Sequence, residues 1–233
     1  CRNGVGGGDP GKFAACVGHV AKHRNPVLGQ VAKAHGKLAW IAPTDAFADW
    51  AQGPSLHPDG FWTAPGVFSA DGMDPATNAL IDALPPKLGS RVADLGAGWG
   101  ALASGVLSRD GVREFHLVEA DLTALDCARL NVTDARAVLH WSDVTSWEAP
   151  AAMDSVVMNP PFHLGRRADP SLGQAFIASA ARLLAPSGRF FMVANRHLPY
   201  ELTLSAMFAQ VDDIGGDSRF KLIAAARPRR KRH

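Results

Sequence analysis

Arg91-Val92-Ala93-Asp94-Leu95-Gly96-Ala97-Gly98-Trp99-Gly100 is an apolar run that passes directly into three glycines at alternate positions. The first five residues read as a short buried strand. Glycines at the carboxyl end of such a strand let the backbone pass close to a ligand, where the next helix begins. A helix over 101–108 is expected to follow. Downstream, the pattern predicts strands at 114–118, 135–141, 153–158 and 189–194, with helices at 122–131 and 172–184. Two closing strands are expected at 211–214 and 220–225. Upstream, Asp74 is a good N-cap and Pro75 suits the first position of a helix over 76–84. Strict alternation of strand and helix implies an α/β fold: a parallel sheet with helices on both faces and ligands at the carboxyl ends of the strands.

The glycine run admits two ligands as it stands. With Ala101 it also satisfies the dinucleotide pattern G-x-G-x-x-[GA], and Glu119 at the end of the second strand suits a ribose in either case. Asp94 tilts the choice. A carboxylate there is tolerable beside a cationic ligand end and unfavourable beside a pyrophosphate.

A second stretch adds chemistry. Asn159-Pro160-Pro161-Phe162 follows the apolar run Ser155-Val156-Val157-Met158. Two prolines cannot continue a central ladder and force the chain out of the sheet in a fixed, extended shape. The resulting lip offers an amide side chain, the Pro160 carbonyl and an aromatic ring. Asn159 Oδ1 and the Pro160 carbonyl can accept hydrogen bonds from an amino group on a planar ring, while Phe162 stacks on that ring.

Composition bounds these readings. The 233 residues, 47% of them hydrophobic, suffice for a full core in one domain with a small appendage. No run approaches the roughly 18 apolar residues of a membrane span. Cys1, Cys16 and Cys127 are too few and too scattered for a disulfide framework or a zinc site, so a reducing, cytoplasmic setting is expected. The first residue is Cys1 rather than Met, and a natural start upstream is expected. Net charge is +2, yet 227–233 is almost wholly cationic, an end that is either simply solvated or an electrostatic hand on a polyanion such as RNA.

The N-terminal region is less regular. A helix over 13–22, a strand over 37–42, a Thr44-capped helix through Trp50 and a turn-rich connector over 53–60 are expected. The expected organisation is a partial N-terminal segment at 1–65, a catalytic domain at 66–226 and a basic tail at 227–233.

Taken together, Asp94-Leu-Gly-Ala-Gly-Trp-Gly100, Glu119 and Asn159-Pro-Pro-Phe162 resemble the motifs of class I S-adenosylmethionine (SAM) methyltransferases. That resemblance implies a Rossmann-like, seven-stranded, mostly parallel sheet. It also implies that Asp94, Gly96, Gly98, Gly100, Glu119, Asp143 and Asn159 bind SAM, with Asp143 at the adenine amino group. Gly66-Val-Phe-Ser69, Asp74, His163, Gly165, Gly188-Arg-Phe-Phe-Met-Val-Ala-Asn195 and Leu198-Pro-Tyr200 narrow it. They are similar to the ribosomal RNA guanine-N2 methyltransferases of small-subunit type C and large-subunit type G. The match covers roughly 66–226, with several separated motifs in order. It departs from the pattern in the short region before Gly66, where a degenerate N-terminal domain is usual, and at Ala97, where cysteine is common.

The resemblance implies methyl transfer from SAM to an exocyclic amine, guanine N2 of ribosomal RNA. Asn159, Pro160 and Phe162 would act on the amine and base, and His163, Arg166 and Arg167 would contact the RNA. Ribosomal RNA or a ribosomal subunit is then the expected partner, with no membrane and no metal. Rival acceptors are adenine N6 and a protein glutamine amide, whose enzymes tend to carry Tyr where Phe162 stands. A non-catalytic RNA-binding assembly factor is a rival of another class, and a dehydrogenase a distant one.

Overall fold

The computed structural model describes residues 25–33, 36–48, 52–161, 163–164, 167–168 and 170–229. The chain divides into two compact units, 1–53 and 54–233. In the first, β1 (Val27–Lys33) and β2 (Gly36–Ile41) pair as an antiparallel hairpin. Asn25 Nδ2 donates to the Ala42 carbonyl at 3.1 Å and ties the ends of that hairpin together. The strand expected at 37–42 is therefore present as β2. Of the helix expected from Thr44 through Trp50, residues 45–47 form a bend and turn and 48 starts a 3-10 turn, while 49–50 lie outside the described residues. Thr44 Oγ1 accepts from Ala46 N at 3.1 Å, so the side chain caps the start of this segment. The helix expected at 13–22 lies outside the described residues.

The second unit opens on a small hairpin, β3 (Ser55–Leu56) with β4 (Trp62–Thr63). Then come α1 (Pro75–Ala83), β5 (Arg91–Leu95), α2 (Ala103–Leu107), β6 (Glu114–Glu119), α3 (Leu122–Asn131), β7 (Ala137–Trp141) and β8 (Met153–Met158). Two-residue strands β9 (His163–Leu164) and β10 (Arg167–Ala168) pair with each other. The chain continues through α4 (Pro170–Leu183), β11 (Leu184–Asn195), α5 (Glu201–Met207), β12 (Phe208–Gly216) and β13 (Phe220–Pro228). The central sheet has seven strands in the order β12-β13-β11-β8-β5-β6-β7. Strands β7, β6, β5, β8 and β11 are mutually parallel; β13 runs antiparallel to β11 and β12 antiparallel to β13. This is the Rossmann-like, seven-stranded, mostly parallel sheet that the resemblance implied.

Period-two alternation sorts each strand between two cores. Ala93, Leu95, Val156, Met158, Phe190 and Met192 face one side and pack with Phe176, Ile177 and Ala180 of α4. Val92, Val157, Phe191 and Val193 face the other side and pack with Leu80 and Leu84 near α1 and with Val106 of α2. Each fully buried side chain of this kind contributes about 1.5–3 kcal/mol. The sheet is thus buried on both faces, and the strand order reverses between β5 and β8, opening a crevice at their carboxyl ends.

Segment 54–65 belongs to this unit for a specific reason. Asn131, the last residue of α3, accepts from Trp62 N at 2.6 Å and donates to the carbonyls of Trp62 and Trp99 at 2.8 and 2.9 Å. One amide therefore ties the entering chain to the glycine loop. The rings of His57, Phe61 and Trp99 continue the connection as a stack, with centroid separations of 4.8 and 4.5 Å. At the other end, β13 runs to Pro228, opposite Phe208, and Arg229 N donates to the Met207 carbonyl at 2.7 Å. The described start of the cationic end is thereby sheet structure.

Candidate active site

The carboxyl ends of β5, β6 and β8 meet around a cavity of about 670 Å³, of a size suited to a small-molecule site. Asp94, Gly96, Gly98, Glu119, Asp143, Asn159 and Pro160 all line it, together with Asp74, Thr77, Trp99, Leu172 and Phe176. Gly100 does not itself line it, although its neighbours Trp99 and Ala101 do.

The glycine loop is shaped by backbone demands. Gly96, Gly98 and Gly100 have φ of 78°, 56° and 87°, the left-handed region where a Cβ is strained. At Gly100 a Cβ would also stand 2.7 Å from Val132 Cγ2, so only glycine lets the loop close on α3. Glu119, at the end of β6, accepts from Gly98 N and from Asp121 N, both at 2.8 Å. Its carboxylate therefore sets the path of the glycine loop and also approaches the start of α3. Asp121 caps that helix, accepting from Thr123 N at 2.8 Å.

Asp94 sits differently. Only 1% exposed, it has no hydrogen-bond partner on either carboxylate oxygen. Burial, with the Glu119 charge adding to it, holds its carboxyl well above the usual carboxylate range. A buried acid with both oxygens unmatched, at the wall of a cavity, is a site awaiting a donor, and a cationic ammonium is the donor its chemistry favours. Asp143 follows β7 and is exposed. Its Oδ1 accepts from Thr145 N and Thr145 Oγ1, both at 2.8 Å, and these bonds hold its pKa below the usual value. Val144 beside it is buried and lines the same cavity.

On the other side of β5, the strand β8 delivers Asn159 and Pro160. Ladder register pairs Asp94 with Val157, so Asn159 emerges beyond the end of β5, over the cavity. Asn159 Nδ2 donates to Asp74 Oδ2 and to Thr77 Oγ1, both at 2.9 Å. Asp74 Oδ2 also accepts from Thr77 N and Thr77 Oγ1 at 3.0 Å, as the N-cap of α1. The sequence reading identified the cap but missed the partnership of Asp74 and Thr77 with Asn159. Of the lip residues beyond Pro161, Phe162 and Arg166 lie outside the described residues. His163 and Arg167 are described only as backbone, in β9 and β10.

No group of three or more His, Cys, Asp or Glu side chains among the described residues is arranged to hold a metal ion. Nor is any described helix long and apolar enough to cross a membrane.

Comparison with known proteins agrees with this geometry. The chain is 35% identical over 169 residues to a ribosomal RNA small subunit methyltransferase C from Hahella chejuensis, covering 71% of this chain and 49% of the relative. It is 33% identical over 164 residues to a ribosomal RNA large subunit methyltransferase G from Pseudomonas syringae pv. tomato, covering 68% of this chain and 44% of that one. Among solved structures, a T. thermophilus 16S rRNA N2 methyltransferase (RsmC), in complex with AdoMet and guanosine, superposes with a TM-score of 0.71 at 29% identity. That match covers 94% of this chain and 63% of the other. The chain spans about half the length of the curated relatives it matches. The sequence model of the methyltransferase small domain family matches residues 59–224, and the chain belongs to that family.

Proposed function

We propose that the protein transfers a methyl group from SAM to the N2 amine of guanine in ribosomal RNA, in the cytoplasm. The observation that carries this reading is the Asn159 amide, held at the end of β8 in the cavity that Asp94 and Glu119 line.

The residues fit the cofactor. Asp94, with both oxygens unmatched, suits the methionyl ammonium; Gly96, Gly98 and Gly100 allow close approach of the backbone. Glu119 would take the ribose hydroxyls, and Asp143 the adenine amino group, with Val144 against the ring. SAM supplies an electrophilic methyl group carried on a sulfonium.

The chain's own residues then act on the acceptor. An exocyclic amine is a weak nucleophile because its lone pair is delocalised into the ring. Asn159 Oδ1 and the Pro160 carbonyl accept its two N–H bonds, which favours a pyramidal nitrogen with the lone pair turned toward the methyl donor. Both bonds strengthen as positive charge develops on the nitrogen, so they stabilise the transition state more than the ground state. Buried Pro160 fixes its carbonyl by the rigidity of its ring. Phe162 stacks on the splayed base, and His163, Arg166 and Arg167 contact base or phosphate; for these four the proposal rests on sequence position.

The deciding experiment offers radiolabelled SAM with ribosomal subunits and, separately, with naked ribosomal RNA, and identifies the labelled nucleoside by mass spectrometry. N2-methylguanosine is expected. Label recovered in protein or in methyladenosine would refute the assigned acceptor.

A further inference from the structure

Asn159 can serve an amine only if its amide is the right way round. The two ends of a carboxamide are similar in size and opposite in function: Oδ1 accepts, Nδ2 donates. Turned by half a revolution, the side chain would present N–H bonds to an amine that has only N–H bonds to offer.

Neither the sheet nor the Pro-Pro lip selects the orientation. The selection comes from outside the sheet, at the N-terminus of α1. Nδ2 donates to Asp74 Oδ2 and to Thr77 Oγ1, each at 2.9 Å. Thr77 Oγ1 can accept because its own hydrogen is spent on Asp74 Oδ2 at 3.0 Å. The chain of donors therefore ends on a carboxylate, which only accepts. Reversing the amide would set Oδ1 against the Asp74 carboxylate and leave a threonine hydroxyl, 2% exposed as a residue, to break its own bond. Asp74 is itself held in place as the cap of α1, whose Thr77 N it binds at 3.0 Å.

We propose that Asp74 is a positioning residue that acts through Asn159. It locks Oδ1 toward the acceptor amine. Thr77 is the relay in this arrangement. The inference rests on the reading of Asn159 as the acceptor of the amine's N–H bonds.

The test compares four variants with the wild type: Asp74→Ser, Asp74→Asn, Asn159→Ala and the double variant Asp74→Ser with Asn159→Ala. Serine is a good N-cap, so it keeps the helix start while losing both the charge and the reach to Asn159. Methyl transfer from radiolabelled SAM to ribosomal subunits gives kcat, and calorimetry gives SAM affinity. The side-chain amide protons of Asn159, followed by NMR in cofactor-free protein, report orientation without activity. Asp74→Ser is expected to lower kcat about 100-fold, as losing one oriented transition-state contact does, with SAM affinity within about twofold. Its Asn159 amide protons should exchange faster with solvent. Asp74→Asn, which can still accept from Nδ2, should recover part of the loss. The double variant should be no slower than Asn159→Ala alone, because Asp74 has no separate role to lose.

Additive losses in the double variant, or wild-type kcat in Asp74→Ser, would overturn the role given to Asp74 while leaving the amine grip standing. Wild-type kcat in Asn159→Ala would overturn the grip, and the positioning role with it. Should Asp74→Ser fail to fold, Asp74→Asn with the amide-exchange measurement decides: unchanged exchange and unchanged kcat refute the proposal.

Discussion

Replacing Asp94 by Asn should make the cofactor-free protein more stable at neutral pH and damage SAM binding at the same time. The magnitude follows from the environment of the carboxyl. Both oxygens are buried without partners, so ionisation inside the fold is unfavourable and the folded-state pKa is raised, first by burial and then by Glu119. The acid can always escape the penalty by taking a proton. At pH 7 the cost of keeping Asp94 therefore has a ceiling set by the distance from its ordinary value of 3.8 to 7. At 1.36 kcal/mol per pH unit that ceiling is about 4 kcal/mol. The unmatched polar atoms cost about 1–3 kcal/mol more, and an amide in the same place retains that part. The sign follows from proton counts. Between 3.8 and the raised folded value, the folded state holds more protons than the unfolded, so stability falls as pH rises through that window. The assay is urea unfolding of wild type and Asp94→Asn at a series of pH values from about 3.5 to about 8. The variant should lead by up to about 4 kcal/mol at pH 7, and the lead should vanish near the lower end. Calorimetry at neutral pH should show SAM affinity lower by about 100-fold or more, since the ammonium loses a buried counter-charge. A stability difference independent of pH would refute the account of Asp94 as a strained buried acid.

The remaining predictions are simpler to state. Asn159→Ala should lower kcat by about 100- to 1,000-fold with little change in SAM affinity; single-turnover rates and calorimetry separate the two. Glu119→Ala should weaken SAM binding by about tenfold or more, because it removes a ribose contact and frees Gly98 N, and calorimetry measures it directly. Asn131→Ala should cost about 2–4 kcal/mol of stability in urea unfolding, because three hydrogen bonds to Trp62 and Trp99 are lost and buried backbone groups are left unmatched. A change under about 0.5 kcal/mol would show that the 54–65 segment is held by other contacts.

Legibility tracked the range of the interaction. The strand and glycine loop at 91–100 were readable because the pattern is local: a run of apolar residues, then glycines where φ must be positive. Asp74 was readable as a cap for the same reason, with Pro75 beside it. Its bond to Asn159 was not, because 85 residues separate the two and no periodicity connects them. The short helix Glu201–Met207 was missed; seven residues carry little periodic signal, and its place is set by packing of Leu204 in the core. Strand edges also shifted. The fifth parallel strand begins at Leu184, where register with Met153 starts before the shift that resumes at Arg189.

Tyr200, one of the motif residues that narrow the resemblance, is fully buried, and a Cβ on Gly173 of α4 would stand 2.1 Å from its hydroxyl. It is also the chain's one tyrosine. Chemistry specific to phenols, such as nitration, thus has a single address in this molecule, and reagent reaches it only when the packing around it, α4 included, opens. The helix that carries the cavity-lining Leu172 and Phe176 comes with its own label. The rate of that modification reports how often this packing opens, without any engineered probe.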